Sequence, residues 1–424
     1  MDEFVALLGI LQWVGLAFSC YLLGVTVLNL LTMPRLGRYR SRSHCPRVSV
    51  LVPARNEEAN LQRLMPSLLG QDYPDFEVIV LDDNSTDRTR AVLDGFAGPN
   101  SRLRILKGLP RPRGWLGKNW ACHQLSAAAT GDWLFFTDAD TIHEPGSVRA
   151  AIDAALGEGL DFLTGIVRVD ARTWAERLVV PFYSVYHVFC TLPFALAVRF
   201  HRLHMYAGNG QLLLFRREAY DRIGGHYAVR SAVLDDQEFA RLVVRQRLNW
   251  RFCDASRVVS CRMYRDWRSV VEGFSKSVFA AFNCRIDAFL AACAVQLLVF
   301  FGPLVVLVLA ALRASPVEPS LAAACVAAVL SFWLAVNRRF RFPLYLVPLY
   351  PVTVLAALFI GARSVLVLAT GRATWKGRVI DGPEAKDAAP RARMVHGLRT
   401  ATYVYWQLGA GVAMLAHALY RIRE

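Results

Sequence analysis

The sequence predicts an α/β domain with a mostly parallel, Rossmann-like sheet, set between hydrophobic segments near both ends of the chain. Between about residues 47 and 285, short β-rich runs alternate with helical stretches, which is the pattern of a doubly wound sheet. Apolar stretches long enough to cross a bilayer precede and follow this region. Of the 424 residues, 54% are hydrophobic, whereas soluble domains contain about 45–50%.

The first hydrophobic segment runs from Phe4 to Leu31 and exceeds the roughly 20 residues that cross a hydrocarbon core of ~30 Å. Acidic residues precede it, and five arginines follow it: Arg35, Arg38, Arg40, Arg42 and Arg47. The positive-inside rule therefore predicts an external N-terminus and a cytoplasmic domain. Because a basic n-region and a cleavage site are missing, we interpret residues 1–33 as a transmembrane anchor and not as a signal peptide. A long buried core helix is the alternative.

The net charge of +15 favours either nucleic acid or the anionic cytoplasmic face of a membrane as a partner. The arginines are concentrated beside apolar segments and form no stripe with interleaved aromatic residues, so we expect a membrane and no nucleic acid. The nine cysteines show no C-x-x-C spacing, which favours free thiols in a reducing compartment over a zinc site or a disulfide framework. The composition thus predicts a multi-pass protein of the inner, or plasma, membrane.

The central domain is expected to span residues 46–285. Its first elements are predicted as strands and helices in alternation, at Val48–Ala54, Glu57–Leu69, Glu77–Leu81, Asn84 to about Gly95, Arg102–Leu106, Asn119–Ala129 and Trp133–Phe136. Acidic pairs follow two of these strands, Asp82 with Asp83 and Asp138 with Asp140. Since ligands of parallel sheets bind beyond the carboxyl ends of the strands, both pairs are candidates for one site.

Residues 286–424 are predicted to return to the membrane in four segments, Ala288–Leu312, Leu321–Val336, Pro343–Ala369 and Ala401–Leu419. If the first three are simple spans, the basic stretch from Arg372 to Arg399 lies outside, against the positive-inside rule. A split or re-entrant segment around Pro348–Pro351 resolves this conflict and is our preferred interpretation. Within the central domain, Tyr183–Val198 is predicted to be a membrane-surface helix or an ordinary core helix.

Carboxylates one residue apart at a strand end can hold a hard divalent cation together with phosphate oxygens. Asp138 and Asp140 stand in this relation, which predicts Mg²⁺ or Mn²⁺ as the cofactor and a phosphate-bearing ligand. Asp83 lies beside the helix that follows the second strand, where it can accept from a nucleobase N–H or simply contribute to capping. Three residues at the end of the first strand are candidates for holding the same ligand: Pro53, Arg55 and Glu57.

Two further stretches carry candidate residues. Lys118 follows a glycine-flanked turn that lacks the spacing of a Walker loop, and it can meet a diphosphate as a point charge or remain a solvated lysine. Asp235 and Asp236 open a helical run, where the helix dipole is expected to keep a carboxylate ionised, as a general base requires, or where they merely start the helix. Residues assigned to an acceptor or diphosphate region with Asp235 are Gly210, Gln211, Arg265 and Trp267.

Taken in order, these segments resemble the inverting family 2 glycosyltransferases of the GT-A fold. The strings that carry the resemblance run from Val48 to about Lys276: V-S-V-L-V-P-A-R-N-E-E, V-I-V-L-D-D-N-S-T-D-R-T, G-W-L-G-K-N-W-A, F-F-T-D-A-D-T, N-G-Q-L-L-L-F and L-D-D-Q-E. The lipid-directed members, which glycosylate carotenoid acids, hopanoids or sphingolipid-type acceptors, are most similar. Trp375 to Arg378 also resembles a string of those members.

The resemblance implies that Asp83 contacts the nucleotide base, Asp138 the ribose or sugar, Asp140 the metal, and that Asp236 is the catalytic base. The usual Glu-Asp pair is replaced here by Asp235-Asp236, and the Q-x-x-R-W signature of processive synthases is missing around Met263–Trp267. We therefore expect transfer of a single sugar and no polymerisation.

The function that follows is inverting transfer of one sugar from a nucleotide-sugar, preferably a UDP-sugar, to a lipid or isoprenoid acceptor at the cytoplasmic membrane face. A membrane transporter or channel with a regulatory nucleotide-binding domain is the alternative, although Arg363 is the one charge well inside a C-terminal segment and transport paths usually contain several. A non-catalytic nucleotide-sugar-binding protein is a third hypothesis, which the complete set of acidic residues disfavours.

Overall fold

The computed structural model describes residues 2–41, 43–98, 102–201, 205–282, 284–312, 318–370, 374–375 and 378–379. Its strands in chain order are β1 (Val48–Ala54), β2 (Phe76–Asp82), β3 (Leu103–Lys107), β4 (Trp133–Phe136), β5 (Thr141–His143), β6 (Phe162–Ile166), β7 (Arg168–Val169), β8 (Leu213–Arg216), β9 (Trp250–Asp254), β10 (Val259–Cys261), β11 (Thr374–Trp375) and β12 (Arg378–Val379).

Its α-helices in chain order are α1 (Asp2–Thr32), α2 (Glu58–Leu69), α3 (Thr89–Ala97), α4 (Gly117–Ala128), α5 (Ser147–Glu158), α6 (Trp174–Pro181), α7 (His187–Phe189), α8 (Phe194–Phe200), α9 (Arg217–Arg222), α10 (Gly225–Ala228), α11 (Asp235–Arg245), α12 (Trp267–Ser275), α13 (Val278–Ala281), α14 (Ile286–Phe300), α15 (Gly302–Ala311), α16 (Pro319–Phe340) and α17 (Tyr350–Ala369). A π-helical turn, Phe182–Tyr186, joins α6 to α7, and a 3₁₀ turn, Leu344–Leu346, precedes α17.

The central sheet has seven strands in the order β3-β2-β1-β4-β8-β6-β9. Its strands pair in parallel except β8, which is antiparallel to both of its neighbours. The chain comes back to the carboxyl edge of the sheet before it enters β8, so this strand begins where β4 ends, with Leu213 opposite Phe136. The predicted mostly parallel α/β sheet is confirmed, and the reversed strand brings residues 208–212 to the edge where ligands bind.

The predicted elements agree closely with the structure. The first and fourth strands have the expected bounds, and the second and third are shifted or lengthened by one residue at their ends. The helix expected from the Asn84–Asp87 cap starts only at Thr89, because the preceding residues form a corner that hydrogen-bonds to the neighbouring strand end. β5, β10 and β7 form a second, three-stranded sheet.

Among the residues that the structure describes, four helical stretches are long and apolar enough to cross a membrane: Val5–Thr32, Ile286–Ala311, Pro319–Phe340 and Tyr350–Ala369. The predicted hydrophobic segments at both ends of the central domain are therefore helical. The predicted segment Ala401–Leu419 lies outside the described residues, as do Lys376 and Gly377 of the string Trp375–Arg378, whose outer residues pair as β11 and β12.

The segment predicted as one helix over Tyr183–Val198 is broken. The helices on either side of residues 190–193 meet at an angle of 47°, and Pro193, which cannot donate a backbone hydrogen bond, closes the break. Val185 and Phe189 are fully buried, and Asn29 of α1 donates to the carbonyl oxygens of Phe189 and Leu192. These contacts favour the core interpretation over a helix that lies free on a membrane surface.

Helix α17 runs antiparallel to α14. The ring of Tyr350, at the start of α17, packs near that of Phe300 at the end of α14, with ring centroids 6.0 Å apart. Gly361, eleven positions later, lies against the ring of Phe289 near the start of α14. The C-terminal half of α17 is thereby brought to α13, where Phe279 N–H donates to Ser364 Oγ at 2.9 Å.

This direction bears on the segment around Pro348–Pro351. Pro348 lies in the turn before α17 and Pro351 in its first turn, and the helix is continuous across Arg363. The chain thus turns at the prolines and does not break within a span. The end of α17 lies beside the start of α14, which is the arrangement that the re-entrant interpretation requires; membrane topology itself stays a prediction.

A buried ion pair joins the hydrophobic helices to the sheet. Asp254, at the end of β9, lies 2.8 Å from Nε of Arg339 in the last turn of α16, and both side chains are about 5% exposed or less. Arg35, just after α1, is a second cation at 3.8 Å. The backbone of Asp254 also accepts from Leu36 N–H and donates to Pro34 O. One residue therefore attaches two hydrophobic helices to the edge of the sheet.

We predict that Asp254→Ala strongly destabilises the protein, because it leaves the Arg339 guanidinium buried without its counter-charge. Removing one partner of a buried pair costs about 3–5 kcal/mol. Thermal unfolding of the detergent-purified protein measures this, with Arg338→Ala, an exposed neighbour, as the control. The double variant Asp254→Ala/Arg339→Met is expected to recover part of the loss. An unfolding midpoint of Asp254→Ala no lower than that of Arg338→Ala would contradict the role of the pair.

Candidate active site

Three strands end side by side at the edge where the acidic residues lie. Ala54 at the end of β1 is opposite Asp82 at the end of β2, and Thr137, following β4, donates its N–H to Leu51 O of β1. The segments 55–57, 83–87 and 137–140 therefore emerge at one carboxyl edge. With neighbouring strands about 4.8 Å apart, Asp83 and Asp138 are separated by roughly 10 Å across β1.

The corners after β1 and β2 are bound to each other. Asn56 N–H donates to Ser85 Oγ at 3.0 Å, and Asn56 Oδ1 accepts from Thr86 N–H at 2.8 Å. Asn56 and Asn84 both have φ of 53°, a left-handed conformation that asparagine tolerates better than most residues. The two loops thus form one preorganised wall of the site.

The structure separates the roles of the paired aspartates after β2. Asp82 Oδ1 accepts from Ser85 N–H at 3.0 Å, so capping of this turn belongs to Asp82. Asp83 is 5% exposed, and its carbonyl oxygen accepts from Arg55 Nη1 at 2.6 Å. Arg55 and Asp83, predicted from separate motifs, are therefore neighbours in one corner.

Gly210 marks the point where the other predicted residues converge. A Cβ atom built on Gly210 would lie 3.1 Å from Lys118 Nζ. The same point is 3.5 Å from Asp138 Oδ2 and 3.9 Å from Asp236 Oδ2. Residues from α4, from the end of β4 and from the start of α11 thus meet within one ligand-sized space, and any side chain at position 210 would enter it.

A second glycine positions α11. A Cβ atom on Gly208 would lie 2.0 Å from the carbonyl oxygen of Asp236, so the two backbones approach more closely than any other residue permits. Gln237 Nε2 donates to Gly208 O at 2.8 Å, and Asn209 N–H donates to Thr164 Oγ1 at 3.0 Å. The Gln237 bond fixes the first turn of α11 against the loop that precedes β8, and the Asn209 bond fixes that loop against β6.

Asp236 is held by two backbone amides. Gly210 N–H donates to Asp236 Oδ2 at 3.0 Å, and Gln237 N–H donates to Oδ1 at 2.8 Å. Burial and the nearby Asp235 carboxylate raise the pKa of Asp236 to about 7, although Lys118 and the two amides oppose the rise. The helix dipole was expected to keep this carboxylate ionised, but desolvation and the neighbouring like charge act in the opposite direction and raise its pKa.

Lys118 is the cation of this cluster. Its Nζ lies 2.7 Å from Asp138 Oδ1. Burial acts against its charge, but Asp138 and Asp235 more than compensate and hold the pKa of Lys118 well above its usual value. Asp235 is 6% exposed, and burial, partly offset by Lys118, raises the pKa of its carboxyl. Lys118 is therefore bound to carboxylates and is not a solvated turn lysine.

Asp140 has an oxygen suited to a cation. Its Oδ1 is buried and makes no hydrogen bond to any described residue. Burial and the negative charges of Asp138 and Glu57 raise the pKa of Asp140 to about 7, although the Cys261 thiol and Lys118 oppose the rise. Within the described part of the chain, no group of three or more histidine, cysteine or acidic side chains has the spacing of a complete metal site, so a cation here would take further ligands from a bound substrate or from water.

A loop from the second sheet forms the opposite wall. Arg262 N–H donates to Asp140 O at 3.2 Å, and the Arg262 side chain pairs at 2.9 Å with Glu176, which is buried at the start of α6. Burial raises the pKa of Tyr264, and the charge of Asp140 raises it further. Arg265 Nη2 donates to Asn60 Oδ1 at 3.2 Å, which brings the predicted Arg265 to the β1 corner.

Other predicted residues lie at the periphery. Gln211 is 7% exposed, and its amide donates to Cys261 Sγ at 3.2 Å. It therefore supports the loop that precedes β8. Trp267 opens α12 and is 47% exposed. Pro53 lies within β1, opposite Leu81. The structure thus gathers Lys118, Asp138, Asp140, Gly210, Asp235 and Asp236 tightly, with Arg55, Glu57, Asp83 and Arg265 along the adjoining corner.

Sequence reasoning missed the support of this site. The buried Glu176–Arg262 pair joins two segments that are distant in the chain, although Thr173-x-x-Glu176 is readable as a capping box and forms one. His143 is buried beside this site among Thr137, Thr141 and Ser147, and burial lowers its pKa to about 3.

Comparison with known proteins agrees with this geometry. Residues 49–224 match the model of the family Glycosyl transferase family 2. The chain is 26% identical over 240 residues to a 4,4'-diaponeurosporenoate glycosyltransferase of Staphylococcus aureus, covering 54% of this chain and 60% of that protein. It is 34% identical over 131 residues to a beta-monoglucosyldiacylglycerol synthase of Nostoc sp., covering 29% and 28%. The alignments therefore span less than two thirds of either relative.

A solved structure has a similar fold. The mannosyltransferase PcManGT from Pyrobaculum calidifontis, in complex with GDP-Man and Mn²⁺, superposes with a TM-score of 0.51 at 20% identity, covering 83% of this chain and 99% of that chain. The family match includes the β1, β2 and β4 corners and the Gly208–Gln211 loop, which together carry most of the clustered residues. Residues 49–224 are thus similar to glycosyl transferase family 2, and the domain that contains them has a GT-A fold.

Proposed function

We propose that this chain transfers one sugar from a nucleotide-sugar, with a UDP-sugar as the preferred donor, to a lipid-like acceptor, with inversion at the anomeric carbon. The observation that carries the proposal is the convergence of Lys118, Asp138 and Asp236 around Gly210, beside the unpartnered Asp140 oxygen. A nucleoside diphosphate leaving group needs positive charge, and an attacking acceptor needs a base. Both are available within the same few ångströms.

The donor is proposed to lie across the carboxyl edge. Asp83 and Arg55 would bind the base in the corner after β1 and β2, with Pro53 and Glu57 beside it, and Asp138 would contact the ribose or sugar about 10 Å away across β1. Lys118, which is held by Asp138 at 2.7 Å, would then face the diphosphate. Arg265, bound to Asn60 at the β1 corner, is placed to approach the same phosphates.

Asp236 is proposed to take the proton from the acceptor hydroxyl as that oxygen attacks the anomeric carbon. A base with a pKa near the working pH combines a useful ionised fraction with sufficient basicity, and the pKa of Asp236 is raised to about 7. The backbone amides of Gly210 and Gln237 hold the Asp236 carboxylate in one orientation. Gly210 N–H would also lose its partner if Asp236 moved, so the base is held in place.

A divalent cation, Mg²⁺ or Mn²⁺, is proposed at Asp140. When bound, such an ion neutralises the charge that develops on the departing diphosphate. The buried, unpartnered Oδ1 and the crowded carboxyls of Asp138 and Glu57 fit a cation, because its charge would relieve their mutual repulsion.

The acceptor is proposed to be a membrane lipid, and the domain to lie on the cytoplasmic face of the inner membrane. Two relatives carry the names of lipid-modifying enzymes, and four helical stretches are able to cross a membrane. The arginines after α1 support the cytoplasmic side. A transporter is disfavoured because, within the described spans, Arg363 is the one charged residue far from a helix end.

The direct test is to incubate membranes that contain the protein with labelled UDP- and GDP-sugars and Mn²⁺ or Mg²⁺, and to analyse the lipid extract. We expect label in a lipid product from one donor. Donor binding without any labelled lipid would support the non-catalytic hypothesis instead, and metal-dependent solute flux without product would support a transporter.

Asp236→Asn is expected to lower the transfer rate by about 10²- to 10⁴-fold, because the amide cannot accept the acceptor proton. Donor affinity, measured by equilibrium binding, should change little. Asp94→Asn, an exposed change on α3, provides the matched control. A loss below tenfold would show that Asp236 is not the base.

The stability of the same variant relative to the wild-type protein should rise with pH. The folded-state pKa of Asp236 is raised to about 7, whereas an unfolded aspartate titrates near pH 3.9. The folded state therefore holds a proton that the unfolded state releases, and wild-type stability falls as the pH rises from about 4 to 7. Asp236→Asn does not titrate, although it loses one of the two amide hydrogen bonds at every pH. We therefore expect its stability relative to the wild-type protein to rise by about 1–2 kcal/mol between pH 4 and pH 8. A relative stability that does not rise over this range would contradict the pKa assignment.

Chelation of divalent ions is expected to abolish transfer reversibly. Mn²⁺ or Mg²⁺ added after EDTA should restore activity to the wild-type protein and to Asp94→Asn but not to Asp140→Ala, which loses the unpartnered oxygen. Full activity in EDTA would exclude a metal-dependent reaction.

A further inference from the structure

A cavity lies where the sheet domain meets the hydrophobic helices. It is lined from the domain side by Phe182 of the π-helical turn, and from the helices by Phe18 of α1, Ala292 and Gln296 of α14, and Trp333 of α16. Its lining is mostly aliphatic and aromatic. Three of the contributing helices belong to the stretches able to cross a membrane, so the cavity adjoins the hydrophobic layer in which these helices are expected to lie.

One polar side chain in this lining is unexplained. Tyr186 pairs with Asn337, Tyr21 OH donates to Thr191 O at 2.7 Å, and Thr191 Oγ1 donates to a backbone carbonyl. Gln296, in the interior of an apolar span, makes no hydrogen bond to any residue that the structure describes. An amide in apolar surroundings is unfavourable unless it finds a partner. The geometry therefore indicates a ligand that brings a polar atom into an apolar space.

The cavity is within reach of the carboxylates. Glu176, at the start of α6, holds Arg262, whose backbone binds Asp140. Phe182, the first cavity residue of the same helical segment, lies six residues further on, which is about 9 Å along a helix. A molecule with its reactive group at the carboxylates and an extended chain of ordinary lipid length would therefore reach the cavity.

We infer that this cavity binds the hydrocarbon chain of the acceptor, and that the Gln296 amide donates a hydrogen bond to a carbonyl or hydroxyl oxygen carried near that chain. The inference rests on the proposed function in taking a lipid as the acceptor. It adds the place where the acceptor is bound and the chemistry selected there: a long apolar chain with one oxygen function at a set distance from the reactive group.

Photolabelling tests the binding separately from transfer. The purified full-length protein is labelled with a diazirine-bearing hexadecane and with the corresponding hexadecanoic acid methyl ester, and the sites are mapped by mass spectrometry. We expect both probes to label cavity residues of α14. Ala292→Trp, which fills the cavity, should abolish this labelling. Ala294→Trp is the matched control, because Ala294 is exposed on the same helix and does not line the cavity.

Gln296→Leu tests the polar contact with nearly the same side-chain volume. It should lower labelling by the ester about two- to tenfold, the range for one neutral hydrogen bond, and leave labelling by the alkane unchanged. Equal effects on both probes would contradict the assigned role of Gln296. Labelling confined to outward residues such as Leu290 and Leu297, or unaffected by Ala292→Trp, would overturn the cavity as a chain-binding site.

Transfer assays then decide whether the bound chain is that of the acceptor. Ala292→Trp should raise the KM for the lipid acceptor at least tenfold while the KM for the donor stays the same, and Ala294→Trp should behave as wild type. Labelling lost in Ala292→Trp with unchanged transfer would identify the occupant as a structural lipid and overturn the inference. Absence of transfer in the wild-type protein would instead reject the proposed function, with the labelling result unaffected.

Discussion

The arrangement of the site depends on placing one cation among carboxylates that repel one another. Lys118 lies 2.7 Å from Asp138 and opposes the raised pKa values of both Asp235 and Asp236. The Asp138 and Glu57 carboxylates likewise raise the pKa of Asp140. Such crowding destabilises a folded protein, so favourable contacts in the surrounding structure must offset the repulsion between these groups. The structure does so with the two amides on Asp236 and with glycines at positions 208 and 210, which allow the backbones to approach.

The architecture explains why these particular segments meet. Parallel strands end at one edge, which gathers the corners after β1, β2 and β4. The antiparallel β8 brings the chain back to that edge before the strand starts, so its leading loop supplies Gly208 and Gly210 and receives the first turn of α11. The second sheet contributes the Arg262 loop through β10. A site that binds charge is thus assembled from the three strand corners, the loop before β8, the first turn of α11 and the Arg262 loop, with Lys118 contributed by α4.

Much of this was predictable from the sequence, and the exceptions have physical reasons. β1 and β4 are buried runs bounded by turn residues, so their limits could be read directly, and the acidic residues after them mark the edge. The reversed direction of β8 could not be read, because strand direction depends on how a long connection packs. The helix dipole is a local effect and predicts an ionised Asp236. Desolvation and the Asp235 charge, which raise the pKa of Asp236, arise only in the folded structure. Two buried ion pairs, Glu176–Arg262 and Asp254–Arg339, join segments that are distant in the chain. Such pairs produce no periodic pattern in the sequence.

Asp254 has a consequence beyond stability. Because it binds the end of α16 and the chain just after α1 at the same point, the sheet cannot rock freely against the hydrophobic helices. The distance between the carboxylate cluster and the hydrophobic helices is then fixed by the fold. For an acceptor whose apolar portion is held among these helices, as proposed above, the length from that portion to the nucleophilic atom must match this distance.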